Sequence, residues 1–141
     1  MSYQQAGVLD NVPLYVEAKT ANAVAKEDDS SYAIGYCNQF SCVHSTYGYG
    51  LGAGCWYLPS LGELRIIETK FAAINWALTI LYNLEYTTMQ LQSAEYWSST
   101  EYSSTLAWLV GFNNGYVGNA SKPSGSSRVR PVSILQNFTT A

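Results

Sequence analysis

Charge is the scarcest property of this sequence. Of 141 residues 12% are charged, with 7 Lys and Arg against 10 Asp and Glu and a formal net charge of −3. That is about half the usual share for a globular domain. The few basic residues are scattered, whereas a nucleic-acid-binding face needs them clustered, so no nucleic-acid partner is expected. Long apolar runs are missing too. No stretch approaches the roughly 20 residues that a membrane-spanning helix needs, so no membrane insertion is expected. The start, Met1-Ser2-Tyr3-Gln4-Gln5-Ala6-Gly7, has neither a basic nor an apolar segment and does not read as a secretory signal peptide.

Metal-ligating residues are few. There are three cysteines and one histidine. The order Cys37, Cys42, His44, Cys55 matches none of the paired spacings of zinc sites, so neither a metal nor another cofactor is expected. One disulfide with a free thiol, and three reduced thiols in a core, both fit an odd count. Cys42 and His44 are the one candidate pair for a thiol enzyme. A catalytic thiol needs a lowered pKa and a base held in a cleft, and nothing else in the sequence supplies these. The expectation is therefore no enzymatic activity.

Hydrophobic residues make up 48% of the chain, which excludes disorder for most of it and suits a single domain over residues 1–141. With charge scarce, Ser, Thr, Asn, Gln and Tyr must supply the surface polarity. Twelve Tyr and four Trp stand out. Tyr, Ser, Gly and Asn together suit adaptable recognition surfaces, and equally a Tyr-rich β core.

Along the chain, Gly7 to Val16 reads as a strand. An acidic start at Glu27-Asp28-Asp29-Ser30 leads into Ala33, Tyr36, Cys37 and Phe40 at helical spacing, which predicts a helix over 30–39. The glycine-rich run from Ser45 to Cys55 reads as a tight linker, with a mobile loop near a site as the alternative. Ser60 and Glu63 form an S-x-x-E capping box. Leu64, Ile67, Phe71, Ile74, Leu78 and Leu81 then recur every three or four residues, predicting a helix with a break near Lys70. From Tyr96 the pattern turns to strands. Leu106–Phe112 and Tyr116–Asn119 flank an Asn113-Asn114-Gly115 hairpin turn, Ser127–Val132 is a last strand, and residues 136–141 are a frayed tail. The expected class is α+β, with small twisted antiparallel sheets, two or three helices and termini close together.

Several segments form an ordered set. They are Trp56-Tyr57-Leu58-Pro59-Ser60 with Glu63-Leu64; Tyr96-Trp97-Ser98-Ser99-Thr100-Glu101; Ala107-Trp108, Phe112, Gly115, Val117 and Lys122; and Arg128-Val129-Arg130-Pro131-Val132. This set resembles a bacterial domain with W-x-L-P-S-x-x-E-L and Y-W-S-S-T-E…R-V-R-P-V signatures and a C-type lectin fold. It is also similar to the variable proteins of diversity-generating retroelements. The resemblance runs from Cys55 to Val132 and fades before Ser30. It implies Trp56, Ser60, Glu63, Trp97, Glu101, Trp108, Phe112, Arg128 and Arg130 as structural residues. In those systems template adenines are miscopied, mostly in Asn codons, which cannot then yield Gln, Glu, Lys, Met or Trp. From Tyr102 to Ser127 only Trp108 and Lys122 fall outside the permitted residues. The triplets of calcium-dependent sugar lectins (Glu-Pro-Asn, Gln-Pro-Asp, Trp-Asn-Asp) do not occur, so the lectin likeness concerns fold alone.

The expectation is a binding protein whose variable face spans about residues 102–127. Its partner would be a cell-surface protein or glycan, met from a phage tail tip on a virion or from a cell-surface adhesin. The alternative is a structural or interaction domain of a larger envelope protein, without a diversified site. Strand alternation places Trp108, Val110, Phe112 and Val117 toward the core. It leaves Tyr102, Ser104, Thr105, Leu106, Leu109, Gly111, Asn113, Asn114, Tyr116, Gly118, Asn119, Ala120, Ser121, Ser124, Gly125 and Ser126 as the ligand-binding set. Arg128 and Arg130 share a face, and one or both are expected to pair with Glu101, a ligand-binding role being the alternative. Nothing in the sequence sets an oligomeric state.

Overall fold

The computed structural model describes residues 32–103, 105–122 and 127–133. The strand expected at Gly7–Val16, the tail and the two termini lie outside the described residues. Within them the fold is mixed α and β, with three helices and two small antiparallel sheets. No helix among the described residues is long and apolar enough to cross a membrane.

Helix α1, Ala33–Gln39, is shorter than its spacing predicts and turns Cys37 into the core. The glycine-rich run is more than a linker. Cys42–Val43 (β1) pairs antiparallel with Gly50–Leu51 (β2). Gly50 sits at φ 133°, and a side chain there would collide with the Cys42 carbonyl oxygen, so only glycine fits. His44 organises the turn between them. Its Nδ1 accepts from the Thr46 and Tyr47 amides, each at 3.1 Å.

Helix α2, Leu61–Thr69, starts from a complete capping box. The Glu63 amide donates to Ser60 Oγ (3.2 Å), and the Ser60 amide to Glu63 Oε1 (3.1 Å). Lys70 ends α2 and opens α3, Phe71–Asn83, so the break falls where the pattern places it. Of the predicted stripe only Leu64 is fully buried. Ile67, Phe71, Ile74 and Leu78 are half-buried against its cluster. The outer side of α3 is also apolar, and Trp76 there is 71% exposed.

The larger sheet is a meander of Glu95–Glu101 (β3), Leu106–Gly111 (β4) and Val117–Ser121 (β5). A bulge between Trp97 and Glu101 is stapled by the buried Ser98, whose hydroxyl donates to the Trp108 carbonyl (2.8 Å). The β4–β5 turn is the expected one, with Gly115 at φ 69° and Asn114 Oδ1 accepting from the Tyr116 amide (3.0 Å). The final segment departs from expectation. Among the described residues it makes only isolated bridges, Arg128 with Tyr96 and Val132 with Tyr57. Between them Pro131 has no amide to continue a ladder.

Both faces of β4 carry core residues, which overturns the expected one-sided sheet. On one face Ala107 and Leu109 pack with Cys37, Leu58 and Trp97. On the other Val110 joins Leu64, Leu91, Tyr96 and Phe112 under helices α2 and α3.

The signature segments, far apart in sequence, are laced together. The Ser99 amide donates to the Pro59 carbonyl (2.7 Å), and the Leu61 amide to Thr100 Oγ1 (2.9 Å). The Trp97 amide donates to the Arg128 carbonyl (2.9 Å), and Tyr57 and Val132 exchange amide bonds at 2.9 and 3.0 Å.

Candidate functional site

The hairpin and the loop leading into it carry the predicted ligand-binding residues. A tight turn starts it. The Tyr102 amide donates to the Leu106 carbonyl (3.0 Å), and Ser103 Oγ accepts from the Leu106 amide (3.1 Å). That turn swings the Tyr102 ring edge-on against Trp108, centroids 5.1 Å apart. Tyr102 remains 54% exposed.

Pairing then sets the outer surface. Leu106 lies opposite Ser121, Trp108 opposite Asn119, and Val110 opposite Val117. These pairs share a face by strand alternation. Val110 is covered by α2 and α3, but the rest of that face runs out beyond the helices. Leu106 and Trp108 are half-buried there; Val117, Asn119 and Ser121 are exposed. Two expectations are corrected here. Trp108 and Val117 are not core residues: Trp108 lies beyond the Val110 position that α2 and α3 cover, and Val117, opposite Val110, stands 38% exposed on the edge strand β5. Trp108 is shielded by Tyr102 instead.

Three further corrections concern residues expected outside. Leu109, 2% exposed, is core, because the opposite face of β4 is filled by Cys37, Leu58 and Trp97. Gly111 is buried under the turn, where an added Cβ would meet Asn114 Oδ1 at 2.7 Å. Gly118 is buried beneath the Tyr116 ring, which occupies the space of any side chain there. Tyr116 is itself 50% exposed but lies over Gly118, on the face opposite the Tyr102–Trp108 pair. Ala120 is half-buried on that same opposite face. Thr105, Asn113 and Asn114 are exposed. Ser104, Ser124, Gly125 and Ser126 lie outside the described residues. The predicted set is thus not one surface. Tyr102, Leu106, Asn119 and Ser121 share a patch with Trp108 and Val117, which were expected in the core; the rest divide into an exposed turn, a Tyr116 side, and buried residues.

The patch carries no charge. Ion pairs lie at its margins: Lys122 Nζ bonds Glu101 Oε1 after Ser121, both side chains largely shielded, and Arg65, paired with Glu68, donates to the Gly115 carbonyl (3.2 Å) near Val117. Glu101 therefore does not join Arg128 or Arg130, as the sequence had suggested. The hairpin brings Lys122 back beside the end of β3, while both arginines sit beyond the other edge of that strand.

The remaining chemistry-bearing residues are apart. Cys37, Cys42 and Cys55 are free thiols. Burial pushes Cys37 well above its ordinary pKa, and burial also raises Cys42 despite the nearby Arg130. His44 spends Nδ1 on two amides, and its Nε2 faces Glu85 at 3.4 Å, so neither nitrogen is turned to Cys42. The described residues gather no cluster of His, Cys, Asp or Glu able to hold a metal ion.

Trp56 is half-buried, its indole donating to the Leu51 carbonyl (3.1 Å) and its ring edge-on to Phe40. Trp97 and Phe112 are buried. Sequence reasoning missed Trp108 and Val117 as surface residues. The only available signal was that β5, a short strand next to the Ser/Gly/Pro loop, was a candidate sheet edge.

Comparison with models of known protein families finds no match to this chain, and comparison with curated proteins finds none either.

Proposed function

We propose that the protein is a ligand-binding protein with a C-type lectin fold, of the variable-protein type diversified by a retroelement. Its contact face would be the uncharged patch around Tyr102 and Trp108. One observation carries this reading: an exposed, charge-free face with two aromatic anchors sits on a hairpin whose base is held by the laced signature segments. Rigid aromatic anchors among small polar residues are what a recognition surface uses. The two residues that miscopied Asn codons cannot yield also have fixed work. Lys122 pairs with Glu101, and Trp108 supports Tyr102. The partner is a protein or glycan on a cell surface, reached from a phage tail tip or from an adhesin.

A specific feature favours a second reading, a non-diversified interaction domain of a larger envelope protein: the exposed apolar outer side of α3. The nucleotide sequence separates the two. The first expects a reverse-transcriptase gene nearby and a near-copy of the 3′ coding end, differing from the gene only at adenines of the copy. Those differences should fall on codons of exposed hairpin residues and spare Leu109, Val110 and Phe112. Their absence would leave the second reading standing. The protein itself offers a companion test. Joint substitution of Tyr102, Val117, Asn119 and Ser121 should leave the melting temperature nearly unchanged, whereas Leu109→Ala should cost about 2–5 kcal/mol.

A further inference from the structure

Beyond the far edge of β3, a groove of about 320 Å³ opens between helix α1 and the segment Arg128–Pro131. No residue of the hairpin lines it. Tyr32, Tyr36 and Phe40 form one wall, and the buried Tyr96 lies at its base. Arg128 and Arg130, alternate residues of an extended segment, both reach it, and no Asp or Glu is among its lining residues.

The charge balance there is unusual. Arg130 is half-buried, and among the described residues its one side-chain hydrogen bond goes to a neutral acceptor, the Met89 carbonyl (2.6 Å). Burial lowers its pKa from the ordinary value, with Tyr96, Cys42 and Tyr36 opposing. Arg128 has no side-chain partner among the described residues. A shielded guanidinium without an anion is unfavourable. The carboxylate that the sequence suggested for it, Glu101, is held by Lys122 instead. The Tyr96 hydroxyl accepts from the Gln92 amide (2.8 Å), so its own proton is left for an acceptor. A guanidinium fork matches a carboxylate or phosphate in two parallel bonds. Aromatic walls suit a flat apolar body, and the volume lies at the small end of ligand sites.

We propose that this groove binds a small organic anion, a carboxylate or phosphate monoester on a planar ring. Arg130 and Arg128 hold the oxyanion, and Tyr32, Tyr36 and Phe40 flank the ring. The site is separate from the hairpin patch and does not depend on its being diversified.

Calorimetric titration of the full chain with four probes tests this: benzoate, phenyl phosphate, benzamide and inorganic phosphate. Saturable binding of either ring-bearing anion, with benzamide and inorganic phosphate weaker by about tenfold or more, supports the site and assigns its charged group. Arg130→Lys keeps the charge but loses the fork, and should weaken binding by about tenfold. Arg128→Gln removes a side chain with no described partner, so it should keep the melting temperature while weakening binding about fivefold or more. Should Arg130→Lys fail to fold, Arg128→Gln and Tyr36→Ala carry the test. Tyr102→Ala, in the hairpin, should change nothing. The proposal is overturned by no saturable binding of either ring anion, by benzamide binding as well as benzoate, or by Arg128→Gln and Tyr36→Ala both binding like the parent.

Discussion

Cys37 is the most completely buried reactive side chain, packed with Leu58, Trp97 and Leu109. Burial disfavours its thiolate and pushes its pKa well above the ordinary 9.0. The sign follows from linkage. The unfolded chain loses this proton near pH 9 while the folded chain keeps it, so stability is full below that pH and falls above it. One such group contributes a slope of up to about 1.4 kcal/mol per pH unit. Tyr57, raised by burial and then by its bond to the Glu63 carboxylate, adds a second decline starting near its ordinary 10.0. Chemical denaturation from pH 7 to 10.5 should therefore show a progressive loss of stability. Cys37→Ala should be less stable at pH 7 yet lose less between pH 8 and 10. An equal loss in both proteins would contradict the assignment. At this scale the sequence was only partly legible. Arg128 and Arg130 both line the groove beside α1, as does Val129 between them, but the partner of Glu101 depends on where the hairpin returns Lys122, which no local pattern encodes.

The clearest element in the sequence was α2, because its start is written in side chains that bond their own backbone. Ser60→Ala should lower stability by about 1 kcal/mol, read from the urea midpoint. An unchanged midpoint would mean that the box adds nothing beyond the tethers to Pro59 and Thr100. The break at Lys70 and the β4–β5 turn were legible for the same reason, local chemistry. Strand β4 was misread. Alternation with one face to solvent gives Leu109 to the surface. Yet Leu106 to Val110 contains no polar residue, and an unbroken apolar run marks a strand covered on both sides. The partial exposure of Trp108 was hidden by its size, which argues for burial when the covering helix is assumed to extend across the whole sheet.

At the scale of the molecule, three separated segments close on one another through backbone bonds and one amide-to-hydroxyl bond: Tyr57–Leu61, Trp97–Thr100 and Arg128–Val132. The sequence displayed them only as an ordered pattern. Which amide meets which carbonyl is tertiary information, as is the groove that Arg130 and α1 form together. The same arrangement distributes the four tryptophans over distinct surroundings. Trp97 is buried, Trp76 stands 71% in water, and Trp56 and Trp108 are intermediate. In optical terms the chain carries its own graded set of fluorophores. Iodide should quench the long-wavelength emission of Trp76 first and spare the blue-shifted emission of Trp97. Trp76→Phe should remove most of the readily quenched fraction. Trp108, edge-on to Tyr102, should be the one indole whose emission moves when the hairpin face is occupied.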